Sequence, residues 1–243
     1  MKLLLGVLLA LAPARAADLI VAAASDIAPL TASIEKAFTA QHVLPPGFRL
    51  VRFSLGSSGS LMHQIQNGAP FDVFLSANDS YVEELARTGA VDPSSVVIYA
   101  TGRLALWSRD GSVKSLDDLK SAKVVHIAIA NPEHAPYGVA AKQMLENRGL
   151  WSAIQPKIVY GENVSQALQF AETGNADAVI TSWTLLKGRG ILLPASWYPP
   201  IRQAGAVVKS SSHAAAAREF LKFLRSAEGR KILESGGLFP PDR

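Results

Sequence analysis

FRLVRFSLGSSGSLMHQIQNGAPFDVFLSA, residues 48–77, holds a strand, a turn, a helix and a second strand in succession. FRLVRFS (48–54) and DVFLSA (72–77) are short runs of aromatic and branched apolar residues, which predicts strands. SLMHQIQNG (60–68) places apolar residues three and four apart and ends at glycine, which predicts a helix. A helix that carries the chain from one strand to the next is the crossover of a parallel sheet.

The same alternation extends outward from this unit. Further strands are predicted over 19–24, 103–108, 124–130, 157–160, 177–182, 190–195 and 206–210. Helices are predicted over 29–41, 78–89, 138–149 and 163–174, with a helical pair over 212–237. The fold class is therefore α/β. PPG (45–47) and YPP (198–200) read as loops, and no stretch reads as a single linker. If the 243 residues form two lobes, as the length allows, the chain crosses between them more than once. Strands 103–108 and 206–210 are the expected crossings.

The first 16 residues, MKLLLGVLLALAPARA, have the form of a cleavable secretory signal. Lys2 gives the positive end, Leu3 to Leu11 the apolar run, and Ala14-Arg15-Ala16 the small-residue cleavage site. No later run is long enough to span a bilayer. The expectation is an exported chain in a periplasm, held together without cysteine, of which there is none. Loss of Lys2 and Arg15 lowers the formal charge from +4, and no basic run follows a phosphate backbone, so nucleic acid is not an expected partner.

GSSGS (56–60) admits two readings. It is a capped helix start, which Ser and Gly favour for local reasons, or an anion cradle made of unpaired backbone amides at a helix N-terminus. It is not the Gly-x-Ser-x-Gly elbow of a hydrolase, because Gly59 follows Ser58 directly. Ser25, Tyr137-Gly138 and Asn163-Val164 stand at similar strand-to-helix transitions, and open α/β sheets bind ligands at such strand ends. The five histidines are scattered, and His134 reads as a surface or supporting residue. The pairs Glu83-Glu84 and Asp117-Asp118 read as solvated faces, and Asp26 as a solvent-facing helix-start residue.

Four segments in order, AAASDIAPL, GSSGSLMHQIQNGAPFDVFLSAND, NPEHAPYGVAAKQML and GENVSQALQF, resemble the molybdate-binding proteins of periplasmic ABC importers. The resemblance spans residues 17–243 and implies the type II periplasmic-binding-protein fold, two α/β lobes with the ligand enclosed between them. It implies lobes of residues 17–102 with 203–243 and of 103–202. Molybdate or tungstate is the implied ligand, with no cofactor and no bare metal ion, and a membrane permease the implied partner of a monomer. Carried over by position, the binding residues are Ser25 and Ser58 from one lobe and Tyr137 and Val164, through their amides, from the other. Ser182 stands where some members have a tyrosine hydroxyl, a shorter side chain at that position.

Uncharged donors favour anions that carry no proton. Hydrogen phosphate would leave its own donor unpaired in such a site. Sulfate and molybdate are both fully deprotonated, so between them the resemblance alone selects molybdate. A sulfate carrier is the alternative within this class. A secreted esterase or phosphatase using Ser25 or Ser58 is the alternative outside it, and it lacks a base at recognisable spacing.

Overall fold

The computed structural model describes residues 17–41, 48–186 and 188–241. The expected signal segment (1–16), the loop at 45–47 and His42 lie outside the described residues. The strands form two five-stranded sheets.

The first sheet has the order β2-β1-β3-β10-β4, from β1 (Ala17–Ala24), β2 (Phe48–Gly56), β3 (Val73–Ser76), β4 (Val97–Gly102) and β10 (Ile201–Val207). The second has the order β7-β6-β8-β5-β9, from β5 (Leu104–Ser108), β6 (Ile127–Ala130), β7 (Ile158–Gly161), β8 (Ala178–Ser182) and β9 (Ile191–Leu192). Each sheet is built around three parallel strands, β2-β1-β3 and β7-β6-β8. Each is joined on one side by a reversed strand, β10 or β5. The sheets are thus mixed. The three parallel strands match the βαβ pattern, and the reversed strand of each lies next to where the chain enters from the other sheet.

Parallel strands covered on both faces must be apolar throughout. VFLS of β3, IAIA of β6 and AVITS of β8 are buried at every position. The covering helices of the first sheet are α1 (Thr31–Ala40), α2 (Ser58–Gln66), α3 (Asp79–Arg87), α8 (Ala214–Arg225) and α9 (Ala227–Ser235). On one face Phe38 of α1 meets Phe220 and Phe223 of α8 at ring-centroid distances of 5.2 and 5.4 Å. Each buried phenylalanine contributes about 1.5–3 kcal/mol. The C-terminal helices therefore belong to the core of the first sheet.

The second sheet is covered by α4 (Pro136–Asn147) and α6 (Val164–Thr173), with the short α5 (Trp151–Ile154) and α7 (Trp183–Leu186) beside them. The chain passes from the first sheet to the second at Arg103, between β4 and β5, and returns along 193–200 into β10. The strand predicted at 206–210 is observed earlier, at Ile201–Val207, and the one predicted at 190–195 shrinks to two residues. β4 was not expected from the sequence.

Candidate functional site

The carboxyl ends of the parallel strands of both sheets face one another. β1 runs out at Ala24 into a 3-10 turn, Ser25–Leu30, that Ser25 opens. Ser25 is buried, and its Oγ donates to the Gly56 carbonyl at 3.0 Å, which ties the ends of β1 and β2 together. After Gly56, Ser57 caps α2 by accepting the Ser60 amide at 3.3 Å. Ser58, the first residue of that helix, has no exposed surface. Its Oγ accepts the Ala77 amide at 3.0 Å, and its hydroxyl proton has no acceptor among the described residues.

The second sheet presents two helix starts. α4 begins at Pro136, so Tyr137 lies in the first turn, where amides have no helical partner. α6 begins at Val164, and the Asn163 cap accepts the amides of Ser165 at 2.9 Å and Gln166 at 3.1 Å. That cap leaves the Val164 amide uncommitted. Ser25, Ser58, Tyr137 and Val164 all line a single small cavity of about 10 Å³, whose lining contains no lysine, arginine or histidine. The positive ends of three helices and the amides of a 3-10 turn therefore supply its polarity.

Ser182 is placed differently. It ends β8 fully buried, its Oγ 2.7 Å from Thr184 Oγ1, and it does not belong to the cavity lining.

Asp26 also departs from expectation. The sequence suggested a solvent-facing helix-start residue, but the side chain is wholly buried and lines the cavity. It caps no helix. Its Oδ2 accepts the Tyr137 hydroxyl at 2.9 Å and Gln203 Nε2 at 2.8 Å, and its Oδ1 is buried without a hydrogen-bond partner. Burial pushes the Asp26 carboxyl up from its ordinary value to about 7, against the opposing pull of Tyr137, Gln203 and the nearby amides of Asp26 and Ile27. Burial, and then the Asp26 charge, drive the Tyr137 and Tyr99 hydroxyls well above their ordinary range, so both stay neutral donors.

The two lobes touch around this cavity. Gly59 of α2 donates its amide to the His134 carbonyl at 2.9 Å, and a Cβ on Gly59 would lie 2.7 Å from that oxygen. Thr184 Oγ1 donates to the Asp26 carbonyl at 2.5 Å. At the rim, Ser60 Oγ donates to Glu162 at 2.8 Å, and His134 bridges Ser57 Oγ (3.0 Å) and Glu162 (3.3 Å). Ser57, His134 and Glu162 stand in the order of a nucleophile, a base and an orienting acid. Ser57 Oγ is, however, already held as a helix cap by the Ser60 amide. His134 is thus a rim residue, as its sequence position suggested.

The sequence places Asp26 directly after Ser25 but favours a solvent-facing role for it, and it does not point to Gln203, Tyr99 or Thr184 as neighbours of the site. Asn163, by contrast, carried a readable signal as a helix-capping residue directly before VSQALQF.

The molybdate-binding protein ModA of Rhodobacter capsulatus is 34% identical to this chain over 230 residues, 93% of this chain and 89% of its own. The protein of the same name from Azotobacter vinelandii is 36% identical over 237 residues, 92% of this chain and 90% of its own. The solved structure of the Azotobacter vinelandii periplasmic molybdate-binding protein superposes with a TM-score of 0.82 at 32% identity, covering 92% of this chain and all of that one. The model of the bacterial extracellular solute-binding protein family matches residues 19–239, nearly the whole described chain. With two lobes meeting over a cavity that has helix starts and no cationic side chain in its lining, this chain belongs to the bacterial extracellular solute-binding proteins.

Proposed function

We propose that this chain captures molybdate, and tungstate with it, between its two lobes in the periplasm and hands the anion to the membrane permease of an ABC importer. The observation that carries this reading is the convergence of Ser25, Ser58, Tyr137 and Val164, from four separate strand ends, on a single cavity with no cation in its lining. A rigid set of neutral donors replaces the hydration shell of an oxyanion without a mobile counter-charge, so release remains possible. The names of the two relatives favour molybdate over sulfate, which these donors would suit equally well.

In this reading Ser58 offers an amide and a hydroxyl, Ser25 its amide, since its hydroxyl donates to the Gly56 carbonyl, and Tyr137 and Val164 their amides. Ser182 supports the wall through Thr184 and does not touch the anion. The lobes are residues 17–102 with 203–243, and 103–202, after a leader ending at Ala16. The chain acts as a monomer and catalyses no reaction. Ser25 Oγ donates to a carbonyl and Ser58 Oγ accepts an amide, with no histidine bonded to either, which disfavours a nucleophilic role.

Isothermal titration with molybdate, tungstate, sulfate and phosphate tests the proposal. One-to-one binding of the first two, with the last two silent, supports it. Tight sulfate binding with weak molybdate binding supports the alternative carrier. Silence with all four overturns the oxyanion reading.

A further inference from the structure

Asp26 is the single acid in the cavity lining, and an acid beside an anion site needs a physical account. Its Oδ2 is committed as an acceptor from two donors, the Tyr137 hydroxyl and Gln203 Nε2. The orientation of Gln203 is fixed from behind, because its Oε1 accepts the Tyr99 hydroxyl at 3.1 Å. A proton on this carboxyl therefore belongs on Oδ1, the buried oxygen that has no partner.

Among the described residues the surroundings supply no cation to hold Asp26 charged. α4 contributes Tyr137, β10 Gln203 and β4 Tyr99, while α7 reaches the Asp26 carbonyl through Thr184. α6 places Ser165 on the Ser25 carbonyl, and the ends of β2 and α2 add only Gly56, Ser57 and Ser58. The two tyrosines are the titratable side chains facing it, and both remain neutral. Among the described residues no lysine, arginine, histidine or second acid contributes to its state.

We propose that Asp26 is a proton-linked contact of the bound oxyanion: capture brings one proton from solvent onto Asp26 Oδ1, which then donates a hydrogen bond to a ligand oxygen. This rests on the oxyanion reading above and specifies how that site is regulated. A dianion placed beside a buried carboxylate favours the neutral acid. The neutral acid in turn converts the one acid of the lining into a further donor. Burial alone already brings Asp26 to about 7 without ligand, so the proton is within reach at neutral pH.

The sign follows from linkage. Below about pH 7 the free protein already holds the proton and capture takes up none, while above it capture must bring the proton in, so affinity falls as pH rises.

The test is calorimetric titration of the purified chain with sodium molybdate, between about pH 6 and 9, in pairs of buffers with different protonation enthalpies. The expected result is proton uptake that approaches one per molybdate at the alkaline end and vanishes at the acid end. Affinity should fall by up to about tenfold per pH unit above neutrality. For Asp26→Asn the expected result is no proton uptake and an affinity level across the range. Molybdate binding by the unmodified chain without buffer-dependent heat overturns this inference alone, whatever the variant does. Proton uptake retained in Asp26→Asn overturns it too. Silence at every pH overturns the oxyanion reading, and this inference with it.

Discussion

At residue 26 the protein buries a carboxyl where an alanine would leave no charge to desolvate. A folded-state value raised from 3.8 to about 7 means that stability is fully present below the unfolded value and is lost as pH rises between the two. A shift of about three units is worth on the order of 4 kcal/mol. Asp26→Asn is therefore expected to lose less stability than the parent chain between about pH 4 and 8, by up to that amount, in urea unfolding without ligand. Parallel stability curves would mean that Asp26 is not perturbed. Ser58→Ala removes a hydroxyl donor and leaves the Ala77 amide without its acceptor. About 1–3 kcal/mol of molybdate affinity, a factor of about 5 to 150, should go with it in a titration. Unchanged affinity would remove Ser58 from the site. The serines were legible because small hydroxyl residues at strand ends have a local reason to be there. Asp26 was not, since the partners that bury it, Thr184 and Gln203, arrive from 158 and 177 residues further along the chain.

At the scale of elements, helix starts make the cavity, and their caps decide which amides remain for a ligand. Asn163 takes the Ser165 and Gln166 amides and so leaves that of Val164. Asn163→Ala should cost about 1 kcal/mol in denaturant unfolding, in line with other lost caps. The βα periodicity exposed α1, α2, α3, α4 and α6, since each buries one apolar face. It did not expose the 3-10 turn at Ser25–Leu30, which has Pro29 inside it and too few residues to show a period. β4 and β10 were missed or displaced for a different reason. VIYATG ends in small polar residues, and IRQAGAV mixes Arg202, Gln203 and Gly205 into its run, so neither resembles a buried strand on composition. Gln203 is in the strand because its amide serves Asp26, a demand that no local pattern encodes.

For the whole molecule the question is how two lobes, joined only at Arg103 and along 193–200, hold a ligand between them. The two-lobe arrangement was legible as an α/β chain without a linker, whereas the closeness of the lobes was not, because it depends on single contacts between residues far apart in the chain. Gly59 is one of these, at the start of α2 in the first lobe and against the His134 backbone of the second. A Cβ there would stand 2.7 Å from the His134 carbonyl oxygen and 2.9 Å from the His134 Cα and Cβ, all in the other lobe. Gly59→Val should therefore leave each lobe intact and keep the two apart. A ligand that binds only the folded, closed molecule stabilises it by about 2.7 kcal/mol at a hundredfold excess over Kd. For a chain of this size that raises Tm by about 5–10 °C. The expected outcome is that molybdate raises Tm and lowers the radius of gyration of the parent chain in solution scattering. Gly59→Val should unfold near the parent's ligand-free Tm, gain much less from molybdate, and keep its open radius when ligand is added. A variant that closes and gains stability as fully as the parent would show that the approach of α2 to His134 plays no part in capture, and that the anion is held without the lobes meeting there.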